Sequence, residues 1–209
     1  MHRALAFLSL LFAIALASPG FAQAVIKQPG AHTRYAVELE PHFTFQWANG
    51  PDYYADDGVG LGMRVGIPLF HNGPIPQINN SMAISFGLDW VHFGYDRSAA
   101  CRRYRGAYCD DWDFSANSLW FPVTLQWNFY VHKSITVFGE VGFAIRHSRY
   151  SWLEPCAGGP AGYCEYTDSS TRFPYLVFYP GARFMLSDAI GITVRVGYPH
   201  FTAGVSFLL

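Results

Sequence analysis

Several groups of residues in this chain have the types and spacing to do chemistry. A histidine and a serine are adjacent in "RHS" (His147, Ser148), and His132 and Ser134 stand one residue apart. A serine nucleophile needs its hydroxyl within hydrogen-bond reach of the imidazole that takes its proton. Neighbours in an extended strand point to opposite faces, so His147 and Ser148 do not meet that need simply. His132 and Ser134 fall at a break between two apolar runs and read as turn residues. Eight charges are scattered through otherwise apolar stretches: Glu38, Glu40, Asp89 and Glu140 as acids, and Arg64, Arg146, Arg183 and Arg195 as bases. Equal numbers of each sign are the makings of a neutral ion-pair set. Carboxylates gather at Asp52, Asp56 and Asp57 and again at Asp110, Asp111 and Asp113. That is oxygen-ligand chemistry for a divalent cation, but such clusters in exposed loops are more often solvated, and no metal or other cofactor is expected. Arg97, Arg102, Arg103 and Arg105 form a basic cluster whose guanidinium forks suit phosphate oxygens, or simply keep a loop in water.

Four cysteines occur as two equally spaced pairs, Cys101 with Cys109 and Cys156 with Cys164. Without a close C-x-x-C or a histidine pattern beside them, disulfides are favoured over zinc in an exported chain. Export is indicated by "MHRALAFLSLLFAIALASPGFAQA", which has a basic Arg3, an apolar core from Ala4 to Ala17, and small residues around Ala22 and Ala24. This is the order of a secretory signal peptide, with cleavage after Ala22 or Ala24, leaving 25–209 as the mature chain. No other apolar run is long enough, at about 18 residues, for a membrane-spanning helix.

The elements that position these residues follow from a period of two. In "SLWFPVTLQWNFYVHKSITVFGEVGFAIRHS" every second residue from Leu119 to Val131 is bulky and apolar, and the habit resumes from Ile135. Segments of this kind recur at Thr33–Trp47, Gly58–Leu69, Ser81–Phe93, Ser118–Val131, Ile135–Ser148, Phe173–Leu186, Gly191–Tyr198 and Phe201–Leu209. Such alternation predicts strands, and the fold class is all-β. If His132, Lys133 and Ser134 make a three-residue turn, Val131 lies opposite Ile135, Trp127 opposite Gly139, Gln126 opposite Glu140, and Trp120 opposite Arg146. Apolar then meets apolar across the hairpin.

The composition is 51% hydrophobic, 18% aromatic and only 14% charged, with a formal net charge of -1, so nothing calls for nucleic acid. All eight lone charges share one face of their strands with Gly60, Gly62, Gly66, Gly142 and Gly197, small residues that leave room for long arginines. The opposite faces are apolar. A soluble β-sandwich has the reverse arrangement, with its apolar faces inside. Long polar connections alternate with short ones, as in an eight-stranded antiparallel barrel that crosses a membrane with its long loops outside the cell. Both cysteine pairs then lie in outer loops.

The last strand, "TAGVSFLL", places Thr202, Gly204, Phe207 and Leu209 in a polar-x-Gly-x-x-apolar-x-apolar order. It is similar to the C-terminal signal read by the outer-membrane assembly machinery, with Leu209 where an aromatic is commonest. With the strand count, the chain resembles the small eight-stranded outer-membrane barrels of the OmpX and OmpA-transmembrane type. That resemblance implies residence in the bacterial outer membrane, contact with its lipids including lipopolysaccharide, assembly by the barrel machinery, and a structural or surface-interaction role. No OmpA-like periplasmic domain is expected after the barrel. Some eight-stranded barrels instead modify lipid A with a His and a Ser near the outer rim, for which His147 and Ser148 are the candidates. A narrow channel is a further alternative.

Overall fold

A computed structural model of the protein describes residues 24–47, 55–95, 114–155 and 163–209. The strands are β1 (Glu38–Gln46), β2 (Ala55–Phe70), β3 (Asn80–Tyr95), β4 (Phe114–His132), β5 (Ile135–Pro155), β6 (Tyr163–Met185), β7 (Ile190–Val196) and β8 (His200–Leu208). Each pairs antiparallel with its sequence neighbour, and β8 pairs back onto β1, so the sheet closes into a barrel without a free edge around the ring. We call the end that carries Ala24 and Leu209 the lower end.

The sequence alternation becomes two unlike faces. Outward residues are apolar and accessible, with Leu61 at 65%, Val141 at 59% and Phe143 at 42% exposure. Inward residues on the same strands are buried, among them Arg64, Glu140, Arg183 and Arg195. An accessible band of Leu, Val, Ile and Phe wrapped around buried charge suits hydrocarbon outside, and closure satisfies the strands' backbone groups as a bilayer requires.

The β4–β5 ladder shows how the register is held. Trp127 faces Gly139, Gln126 faces Glu140 and Trp120 faces Arg146, as the spacing predicts. The turn itself differs from the three-residue expectation. His132 pairs with Ile135 across a two-residue turn at Lys133 and Ser134, and an irregularity between Tyr130 and His132 absorbs the odd residue. The Ser134 N–H donates to His132 Nδ1 at 3.1 Å, which tightens the turn, while the bulge keeps each apolar side chain on its own face.

Three element boundaries differ most from expectation. β1 begins at Glu38 rather than Thr33. Residues ahead of it cross the lower opening instead, turning at Gly30, whose φ of 76° is one that glycine adopts without strain. Val25 donates to Val131 O at 3.3 Å and Asn79 to Ile26 O at 2.7 Å. The His32 ring lies flat on Tyr130 at 4.0 Å, and Val25 and Tyr35 are buried beneath. At the upper end, β5 runs on to Pro155 and β6 starts at Tyr163, well beyond the predicted limits of Ser148 and Phe173. Residues 166–172 of β6, ahead of the predicted start, are all exposed. With water on both faces, this stretch has no polar–apolar alternation by which to be recognised.

Candidate functional site in the lumen and at the rim

The lumen holds buried charges in connected layers. Lowest, the Arg183 guanidinium from β6 pairs with Glu38 from β1, and Ser206 donates to Glu38 at 2.9 Å. Above it, Arg195 from β7 bridges Glu40 of β1 and Glu140 of β5, the latter at 2.8 Å. Thr124 donates to Glu140 at 3.3 Å. Asp89 of β3 receives Arg64 at 3.2 Å and meets His42 Nε2 at 2.6 Å, while the other imidazole nitrogen of His42 lies 3.8 Å from Glu40. These side chains are essentially inaccessible, so each charge depends on its partner; a buried charge left alone costs several kcal/mol or more.

Arg146 is placed differently from the other seven. Its Nε donates to Ser148 Oγ at 2.8 Å and its guanidinium stands 5.3 Å over the Trp120 ring, in an aromatic layer above the ion pairs. Trp120 donates to Gln46 at 3.1 Å and meets Tyr175 and His200 edge-on at 4.8 and 4.6 Å. His200 completes the layer through Gln46 at 2.9 Å and the Tyr179 hydroxyl at 3.2 Å. Sequence reasoning passed over His42, Gln46 and His200. The signal for the first two was available, since both share strand parity with Glu38 and Glu40 on β1.

The lumen glycines divide by role. A Cβ on Gly62 would lie 2.4 Å from His42 Nε2 and 2.2 Å from Asp89 Oδ1, so its smallness does make room for the network. Gly60 and Gly142 are constrained by backbone instead, with a Cβ falling 1.8 Å from Trp90 O and 2.1 Å from Val123 O on the neighbouring strands.

The histidine–serine candidates do not converge. Ser148 points into the lumen, 2.8 Å from Ser118 Oγ. His147 is on the outer face, with Nδ1 2.9 Å from Thr171 Oγ1. His132 is occupied in the lower turn. On β8, Thr202 is buried inward and Phe207 is accessible at 38%, as is Leu209 just after the strand at 66%. Cys101, Cys109, Cys156, Arg97, Arg102, Arg103 and Arg105 lie outside the described residues, as do Asp52, Asp110, Asp111 and Asp113 and residues 1–23. Cys164 sits on the upper part of β6 opposite Glu154, and its sulfur is engaged rather than free.

Reversed faces on a closed eight-stranded ring define the class as a small transmembrane β-barrel. No protein-family model matches the chain, and no curated protein matches it. Among solved structures, the chain is similar to the attachment invasion locus protein Ail of Yersinia pestis. The crystal structure of Ail is 11% identical, covers 85% of this chain and 99% of its own, and has a TM-score of 0.45. The backbone structure of Ail in a phospholipid bilayer nanodisc is 14% identical over 84% of this chain and 100% of its own, with a TM-score of 0.41. Neisserial surface protein A is 11% identical over 83% and 96%, with a TM-score of 0.39.

Proposed function

We propose that this chain is a non-enzymatic protein of the bacterial outer membrane, exported with cleavage of its signal peptide after Ala22 or Ala24, with a plugged barrel that anchors loops outside the cell for a structural or surface-interaction role. The observation that carries this is the lumen. Arg64, Arg183 and Arg195 occupy the bore together with Trp120, Tyr179 and Phe138, all almost fully buried. An eight-stranded ring is only just wide enough for such side chains, which leaves little room for a solute path. Disulfides Cys101–Cys109 and Cys156–Cys164 pin the outer loops in this reading, and the engaged sulfur of Cys164 supports the second. Thr202, Gly204, Phe207 and Leu209 serve as the signal to the assembly machinery. Arg97, Arg102, Arg103 and Arg105 contact lipopolysaccharide phosphates.

The test is mass spectrometry of lipid A from outer membranes with and without the protein, alongside a His147→Ala variant. Unchanged lipid A, with the barrel folded by heat-modifiable gel mobility, is expected. An acyl chain gained or lost in a His147-dependent way would make the protein a lipid A-modifying enzyme. Discrete conductance steps in a planar bilayer would make it a narrow channel instead.

A further inference from the structure

The outer face of β5 changes character within a few residues. Climbing the strand, it presents Phe143 and Ile145, then His147, and then Arg149 and Ser151. Its neighbours change with it. Asn117 on β4 lies opposite Arg149, and Ser115 and Thr167 flank Ser151 from β4 and β6. Ser115, Asn117, Arg149, Ser151 and Thr167 line a recess of about 250 Å³ on the outer wall. Cross-strand contacts hold its groups in place: Ser115 Oγ is 3.0 Å from Ser151 Oγ, and His92 Nδ1 is 3.1 Å from Asn117 Oδ1. None of the five lining side chains is acidic. The volume falls just under the roughly 300–1,000 Å³ usual for small-molecule sites, which suits one sugar-phosphate unit rather than a whole oligosaccharide.

We propose that this recess binds the phosphorylated sugar headgroup of a membrane lipid whose acyl chains cover Phe143, Ile145 and the apolar rows below. The inference rests on the membrane reading above and adds a binding site on the wall, apart from the loop arginines. Arg149 takes the phosphate through its guanidinium fork, and the hydroxyls and the Asn117 amide meet sugar hydroxyls. A lipid is favoured over a free glycan because the recess continues the lipid-facing face of the same strands. Chains lying on the rows beneath would deliver their headgroup to this height.

The full chain is refolded in detergent micelles, checked by heat-modifiable mobility, and titrated with a diphosphorylated lipid A bearing one inner-core sugar, followed by native mass spectrometry. The expected results are saturable binding, a loss of about tenfold for Arg149→Gln, as for one charge-assisted hydrogen bond, and an equal loss when the lipid is dephosphorylated. Arg172→Gln, which removes the same charge from the other face of the same hairpin, is expected to stay within about twofold, since it leaves those bonds intact. The site is overturned if Arg172→Gln loses as much as Arg149→Gln, if dephosphorylation changes nothing, or if an acyl-free phosphorylated oligosaccharide competes equally well. A chain that folds in micelles yet ignores phosphate defeats the site alone. One that never folds in micelles defeats the membrane reading as well.

Discussion

β5 passes through two environments, and its lower and upper halves obey different rules. From Ile135 to His147 its residues alternate between accessible apolar groups such as Val141 and Phe143 and buried ones such as Glu140 and Arg146. Above His147 the strand continues without a break, paired to β6 as far as Pro155, but residues 166–170, the partners of 148–152, are exposed whichever way they point. The hydrogen-bond ladder is the same in both halves; only the solvent on each face has changed. Alternation is therefore a signature of two unlike surroundings rather than of strand structure itself.

That contrast predicts where substitutions hurt. Arg195→Ala leaves Glu40 and Glu140 buried without their shared partner and should cost about 3–5 kcal/mol. Ser169→Ala on the emergent hairpin should stay within about 0.5 kcal/mol. Urea unfolding of both variants in lipid vesicles checks the difference, and similar costs would break the distinction. On the outer face the cost again falls with height: Val141→Arg, in the apolar belt, should lose roughly 2–4 kcal/mol, against about 0–1 for Ser151→Arg above it. Gly62→Ala tests how tightly the lumen is built. Its Cβ would intrude on the His42–Asp89 contact, and overpacking of this kind costs about 1–3 kcal/mol, read in the same unfolding assay.

How much of this was legible depended on where information about surroundings is written. The alternation marked every strand passing the apolar belt, and the positions of Trp127 against Gly139 and Gln126 against Glu140 followed from that pattern, although the turn itself is two residues with a bulge rather than three. The upper part of β6 was invisible because residues 166–172 are exposed on both faces alike. Ion-pair partners were not legible either. Arg195 meets Glu40 across 155 positions of sequence, a juxtaposition that exists only once the ring has closed. Arg146 looked interchangeable with the other lumen arginines, since its parity and type are the same. What separates it is height, which places it beside Trp120 and Ser148, above the layers of ion pairs. The segment before Glu38 reads as strand from its residues alone, and Gly30 and the fit of Val25 and Tyr35 under the ring turn it across the opening instead.

The smallest predicted effect lies at that lower end. Burial lowers the pKa of His32 from its ordinary 6.5, opposed in part by its contact with Asn79. The folded segment thus binds a proton less readily than the unfolded one, and its docking is fully present above about pH 6.5 and weakens as the pH falls through that value. Amide exchange over Val25–Tyr35 should speed up at pH 5.5 relative to pH 7.5, while exchange in the β4–β5 ladder stays put.

The central claim is that this barrel turns its apolar face to lipid and its charges inward. Nuclear Overhauser contacts between detergent acyl chains and backbone amides along β5 test it most directly. The account predicts contacts at Val137, Val141, Phe143 and Ile145, none at Glu140 or Arg146, and none at Arg149 or Ser151. Contacts at the even-numbered residues, or spread evenly from Ile135 to Ser151, would contradict it.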